Sequence, residues 1–229
     1  MPGEPLPGEP SPGEPTRHTS EPARPQGGRN PAPRTAVIAC GALAQPTAAI
    51  AGRRGWVVDV VPLPPLLHNH PEKIASEVRK VASQLSATHD RIVIGYADCG
   101  TYGALDRVCS DLGIDRLPGL HCYDVFGGAG AMEQLFADQP GTYVLTDFLA
   151  RSFHRSVWVE LGLDRHPELH EAYFAHYTRV VWLAQEPDDA ELHGMAQAAA
   201  QLLRLPLRVV PTGHRGLESA LESLLTASP

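Results

Sequence analysis

The sequence predicts an α/β protein whose strands are mainly parallel. Short runs rich in Val and Ile, each suited to a buried strand, recur along the chain. Longer segments with apolar residues at three- and four-residue steps separate these runs, which is the spacing of a helix with one buried face. Parallel strands need such crossover helices. We therefore expect a three-layer open sheet of about six or seven mostly parallel strands, with helices on both faces.

The strand-like runs are short, and proline or glycine closes several of them. They are TAVIA (35–39), GWVVDVVPL (55–63), RIVIGY (91–96), RLPGLHC (116–122), TYVLTD (142–147), RVVWLAQ (179–185) and LRVVPTG (207–213).

The helix-like segments lie between these runs. Pro71 suits the first turn of a helix over 70–85, and Gly113 suits the end of a helix over 101–113. Further helices are predicted over 127–139, 188–204 and 215–226. The aromatic-rich segment 148–177 is also helical in pattern, and its length favours a lid or an insertion over a simple crossover.

Length and composition favour one soluble domain. The chain has 229 residues, of which 43% are hydrophobic and 20% charged, with a net charge of -7. The basic residues are scattered, so we expect no nucleic-acid partner. We find no apolar stretch of membrane-spanning length and no signal peptide, so we expect a cytoplasmic protein without a membrane partner.

Residues 1–33 differ from the rest of the chain. Their five-residue repeat of Pro, Gly and Glu, as in PGEPLPGEPSPGEPT, offers little to bury. We predict a disordered tail over 1–33 and a single α/β domain over 34–229.

Three of the four cysteines lie where predicted strands end. Cys40, Cys99 and Cys122 each follow a strand-like run, whereas Cys109 lies inside a predicted helix and is interpreted as core. Ligands of open parallel sheets bind at the carboxyl ends of the strands. We therefore predict that these three cysteines meet at that edge.

Three thiolates in one pocket would suit a zinc ion, with an open fourth position for catalysis. An iron–sulfur cluster is the alternative cofactor. A plain packing role is the competing interpretation for each cysteine, since cysteine is among the most buried residue types.

Other residues at the same edge complete the predicted site. Asp98, His121 and Asp124 are the candidate catalytic residues, with His121 also a possible metal ligand. The candidate substrate-binding residues are Gly100, Tyr123, Gly127, Gly128, Gly130, His68 and Asp147. The three later glycines precede a helix, where free N–H groups can bind an anion, although a plain tight turn also explains them.

Several segments resemble one family. ACGAL, LPPLLHNHPEKI, GYADCGTYGALD, LPGLHCYDVFGG, PGTYVLTDFLARSF, ELGLDRHPEL and YFAHYTRVVWLAQ are similar to the bacterial and archaeal family known as domain of unknown function 1638 (DUF1638). The resemblance covers roughly residues 35–215. Its members are often encoded near corrinoid proteins, cobalamin-dependent methyltransferases and folate enzymes, which implies a role in methyl transfer. It assigns no catalytic residue.

Three hypotheses follow. The first is a metal-dependent enzyme, with zinc the expected ion, acting on a small molecule in one-carbon or methyl metabolism. The second is a non-catalytic accessory protein that carries a corrinoid or a metal for a neighbouring methyltransferase. The third is a metal-free hydrolase or transferase with Cys99 as nucleophile and His121 as base.

Overall fold

The computed structural model describes residues 33–227, so all but the last residue of the predicted tail lies outside the described residues. It confirms the α/β class. Six of the seven predicted strands are present. They are β1 (Thr35–Ala39), β2 (Val58–Pro62), β3 (Arg91–Gly95), β4 (Thr142–Thr146), β5 (Arg179–Ala184) and β6 (Leu207–Pro211).

The α-helices of the described residues lie between and after these strands. They are α1 (Gly41–Arg54), α2 (Pro71–Leu85), α3 (Ala104–Leu112), α4 (Cys122–Gly127), α5 (Ala129–Asp138), α6 (Asp147–Phe153), α7 (His170–Phe174), α8 (Ala190–Leu203) and α9 (Arg215–Thr226). No helix among residues 33–227 combines the length and the apolar character that crossing a membrane requires.

The six strands form two parallel sheets rather than the single sheet that we expected. The first has the order β2-β1-β3 and the second the order β4-β5-β6. The free edge of β3 is covered by the chain that follows α3, because the Ile94 amide donates to the Asp115 carbonyl and Ile94 accepts from the Leu117 amide. That short segment takes the place at which β4 would extend the first sheet.

The segment 116–122 is not the strand that its apolar residues predicted. It makes a single bridge to β3, between Ile94 and Arg116, and then turns away. Pro118 has no N–H to donate to a sheet, and Gly119 has a φ of 100°. Cys122 is consequently the first residue of α4 and not the end of a strand.

The aromatic-rich segment is helical, as predicted, but it is not one helix. After α6 the helix widens into a π-helical segment over His154–Val159, and a 3₁₀ turn, Pro167–Leu169, leads into α7. The amide of Asn69, at the end of the 3₁₀ turn Pro65–Asn69, donates to the Ser156 carbonyl at 3.2 Å. This bond links the π-helical segment to the part of the chain that follows β2.

Each sheet has its own apolar core. Val37, Ile38 and Ile94 are fully buried against the helices around the first sheet. Trp182, with Leu192 of α8, is fully buried around the second. Burial of this kind stabilises the fold by about 25 cal/mol for each Å² of apolar surface.

Two helical glycines should respond to alanine in opposite directions. At Gly216 in α9 an added Cβ would collide with the Val125 carbonyl oxygen, whereas at Gly194 in α8 it would meet nothing within 4 Å. We expect Gly216→Ala to lower the free energy of unfolding by about 1–3 kcal/mol, because α9 must move away from α4. Gly194→Ala should raise it by about 0.5–1 kcal/mol. Urea unfolding measures both, and equal effects would contradict the packing described.

Candidate functional site

A cavity of about 310 Å³ lies at the carboxyl ends of the strands, between the two sheets. Cys40 reaches it from the end of β1, Cys99 from the loop after β3, and Cys122 from the start of α4. The opposite wall is apolar and comes from the second sheet and α6; it includes Val144 and Phe148. Thiols supplied by the ends of the first sheet and by α4 therefore face an apolar wall supplied by the second sheet and α6.

The Cys99 and Cys122 side chains are in direct contact. Interaction with the neighbouring Cys122 thiol lowers the pKa of Cys99 despite its burial. The same interaction, together with burial, raises the pKa of Cys122 well above its ordinary value. Of this pair, Cys99 is the thiol that ionises first.

Cys40 is more deeply buried, and Tyr96 lies beside it. Burial, followed by the nearby charge of Cys99, raises the pKa of the Cys40 thiol to about 11. Tyr96 lies near the thiols, and its own pKa is raised, first by burial and then by the charges of Cys40 and Cys99. Tyr96 is 1% exposed. It is therefore a fully buried neighbour of the thiol-bearing residues, in the same core as Cys40.

Tyr96 was missed by the sequence analysis. Its signal was available, since it directly follows β3 in the run that leads to Cys99. An aromatic residue after a buried strand is usually core, and only the structure shows that Tyr96 lies near the thiols.

The loop that carries Cys99 has a strained backbone. Cys99 has a φ of 49° and Tyr102 a φ of 50°, which is unusual for residues other than glycine. The Cys99 amide donates to the Leu120 carbonyl at 2.7 Å, and this bond holds the loop beside the turn that precedes α4. Strain of this kind concentrates at functional sites.

Asp98 holds that loop and does not line the cavity. Its carboxylate accepts hydrogen bonds from the Thr101 hydroxyl at 2.6 Å, the Gly103 amide at 3.1 Å and the Tyr102 amide at 3.2 Å. Burial raises the pKa of Asp98, but these bonds outweigh it and the net shift is downward. The residue predicted to be catalytic thus positions the Cys99 loop.

Asp98 should make stability depend on pH. Its pKa is lowered on folding, so its contribution is fully present above the unfolded value of about 3.9 and is lost as the pH falls through the folded value. We expect Asp98→Asn to reduce the free energy of unfolding by about 1–2 kcal/mol at pH 7 and by much less at pH 2. Urea unfolding at both values measures this. The exposed Asp188→Asn is the control, and an effect of Asp98→Asn that stays constant with pH would contradict the assignment.

Asp124, Gly127 and Gly128 lie around a different cavity. The Asp124 carboxylate accepts from the Leu120 and His121 amides, both at 2.9 Å, which caps the start of α4. Gly127 and Gly128 line the same larger groove as Asp124, and Gly130 is exposed on α5.

Two of these glycines have structural explanations. A Cβ on Gly127 would lie 2.6 Å from the Met132 sulfur, and Gly128 has a φ of 82°. These observations favour the tight turn over the anion site.

Asp147 is also bonded within the fold. Its carboxylate accepts from the Trp182 indole N–H at 2.8 Å and from the amides of Gln185 at 3.0 Å and Glu186 at 2.8 Å. It lines a neighbouring cavity of about 260 Å³ that shares Ala42 and Phe148 with the thiol-lined one. Its three donors tie the start of α6 to the end of β5.

The remaining predicted site residues do line the thiol cavity. His68 reaches it with its ring Nδ1 2.8 Å from the Pro65 carbonyl oxygen. His121 and Tyr123 stack, with ring centroids 4.7 Å apart, and Gly100 contributes backbone. Cys109 is buried in α3, as interpreted, and burial raises its pKa to about 11.

The three thiols line one cavity, but their side chains are not arranged as the ligands of a metal ion. Across residues 33–227, no three His, Cys, Asp or Glu side chains stand in an arrangement that could hold one metal ion. The site therefore offers one thiol with a lowered pKa, that of Cys99, in a small and largely apolar cavity.

Comparison with known proteins gives one result. Residues 62–221 match the family model described as "Protein of unknown function (DUF1638)". No curated protein and no solved structure is detectably similar to the chain. The match begins at the end of β2 and includes Cys99 and Cys122, while Cys40 precedes it.

Proposed function

Because the chain belongs to the DUF1638 family, whose function is unknown, we propose a function from its cavity: a metal-dependent enzyme, with zinc as the ion, acting on a small molecule. The observation that carries this proposal is the convergence of Cys40, Cys99 and Cys122 on one cavity of about 310 Å³. Thiolates are ligands that zinc prefers, and His68 or His121 could add a nitrogen ligand.

Metal binding would require the thiols to rearrange. The Cys40 and Cys122 thiols, whose pKa values are raised, would lose their protons. A bound ion supplies Lewis acidity and lowers the pKa of a coordinated water or thiol. The raised pKa values of Cys40 and Cys122 predict that loading releases protons and strengthens as the pH rises.

The chain's own residues would shape the reaction. Tyr96 lies near Cys40, and the Asp98-bonded loop would hold Cys99. Val144 and Phe148 would keep water from the reacting groups. The placement in one-carbon or methyl metabolism, with a corrinoid protein or methyltransferase as partner, rests on the resemblance of the sequence to its family.

Metal analysis tests the proposal. Protein purified without chelator, aerobically and anaerobically, should contain close to one equivalent of zinc. Less than about a tenth of an equivalent of zinc or iron in both preparations would remove the metal from the proposal. Iron with sulfide in the anaerobic sample alone would replace zinc by a cluster.

A second candidate is a metal-free hydrolase or transferase in which Cys99 is the nucleophile. The observation that favours it is the lowered pKa of Cys99 on a strained loop at a cavity. His121 lines the same cavity and would act as the base. This candidate uses the thiols as they stand in the structure.

Alkylation separates the two candidates. In metal-free protein at pH 7, iodoacetamide should label Cys99 at least about tenfold faster than Cys40 or Cys109, because their thiols are buried and their pKa values are raised to about 11. Peptide mass spectrometry measures the rates. Prior zinc loading should suppress labelling if the metal proposal holds, and should leave it unchanged if Cys99 works alone. Equal labelling of Cys109 would contradict the assignment of Cys99.

A further inference from the structure

A groove lined by two arginines and a histidine lies beside the thiol cavity. Arg151, His154 and Arg155 line it, and its volume is about 490 Å³. Gln45 and Ser152 add polar groups and Phe148 an aromatic wall, and no carboxylate contributes to its lining. A cationic groove contrasts with the net charge of -7 of the whole chain.

The two arginines of this groove, which we call the basic groove, are poorly neutralised. Within residues 33–227, Arg155 has no carboxylate within salt-bridge distance, and Arg151 has only Asp189, at 3.5 Å. Arg151 and Arg155 line the same groove, and two like charges held near one another repel each other. An anion bound between them would remove that repulsion.

The backbone here is irregular. The π-helical segment begins at His154, directly after the α-helix that carries Arg151. π-Helical turns are rare, and they are found frequently at functional sites. This irregularity is independent of the charges and falls on the same residues.

The basic groove adjoins the site already described. Phe148 lines the groove, the thiol cavity and the cavity of about 260 Å³, and Arg151 lines both the groove and that last cavity. A ligand in the groove therefore lies against the same aromatic ring that closes the thiol cavity.

We propose that the basic groove binds the phosphate or carboxylate group of a small-molecule substrate whose reactive end lies in the thiol cavity. Arg151 and Arg155 would donate charge-assisted hydrogen bonds to the anion, with Gln45 and Ser152 as neutral donors. Binding of the anion does not depend on a metal. Only the position of the reactive end rests on the proposed function.

Thermal unfolding in the presence of simple anions tests the groove. The melting temperature of the full chain is measured against increasing phosphate and, separately, succinate, at ionic strength held constant with sodium chloride. The proteins are wild type, the double variant Arg151→Gln/Arg155→Gln and Arg208→Gln. Arg208 is an exposed arginine on β6 and makes no ion pair with residues 33–227, so it controls for loss of positive charge.

We expect one of the two anions to stabilise wild type and Arg208→Gln equally and saturably. The double variant should bind it more weakly by on the order of tenfold or more. Stabilisation by phosphate alone would identify a phosphate-bearing substrate, and stabilisation by succinate a carboxylate. Arg155→Gln alone, at an exposed position, gives the same test if the double variant does not fold.

Two results would overturn the proposal: no saturable stabilisation of wild type by either anion, or the same affinity in all the variants. Zinc content is measured in the same samples. A normal zinc content without anion binding would overturn the anion site and leave the metal proposal intact. Anion binding by a protein that contains no zinc would support the anion site and overturn the metal proposal.

Discussion

Zinc affinity should fall by on the order of a hundredfold or more when Cys40, Cys99 or Cys122 is replaced singly by alanine. The three cysteines line one cavity from three separate segments, and an ion held by three thiolates cannot keep its affinity with two. Competition with a chromophoric chelator at pH 8 measures the dissociation constant. The raised pKa values of Cys40 and Cys122 make this pH more favourable for loading than pH 6.

Cys109→Ala is the matched control. Cys109 is 7% exposed and Cys40 3%, so the two variants lose similar packing in the same core. We expect Cys109→Ala to keep wild-type zinc affinity with a modest loss of stability. If Cys109→Ala weakens zinc as strongly as the other three, or if none of the four does, the shared-ligand interpretation is wrong.

The free energy of unfolding should fall by about 3–5 kcal/mol in Asp147→Ala. The substitution leaves three buried or half-buried donors without an acceptor: the Trp182 indole N–H and the amides of Gln185 and Glu186. Each such donor costs about 1–3 kcal/mol. Because they tie α6 to the end of β5, the loss should be global and should appear in the urea midpoint.

Asp188→Ala controls for removal of an aspartate from the same region. Asp188 is exposed and accepts no hydrogen bond from residues 33–227. We expect a change within about 0.5 kcal/mol. A stable Asp147→Ala protein that had lost only ligand binding would instead support the substrate-binding role predicted for Asp147 from the sequence.

The class of the fold could be predicted, but the pairing of its strands could not. Strands such as Thr35–Ala39 and Arg179–Ala184 can be predicted because β-branched residues are frequent in them, which is a local property of the sequence. Whether β4 adds to β3 depends on contacts far apart in sequence. The bonds of Ile94 to Asp115 and Leu117 decide it, and no local pattern encodes them.

The candidate site divides in the same way. The rule that parallel strands deliver their ends to one edge was enough to bring Cys40 and Cys99 together, and Cys122 arrives there from a helix instead of a strand. The roles of the carboxylates were harder to predict from the sequence. Asp98 and Asp124 face nearby backbone amides because of turn conformations that include positive φ values, and those conformations are not visible in residue types alone.

The two faces of the thiol cavity have separate origins, since the sulfurs come from the first sheet and α4, whereas Val144 and Phe148 come from β4 and α6. Substitutions at Val144 or Phe148 can therefore change which molecules enter without disturbing the sulfur chemistry. Relatives that keep the cysteines while varying these two positions would share a reaction and differ in selectivity. Because the two walls belong to different sheets, the substrate of such a protein can change through its apolar wall while the cysteines stay the same.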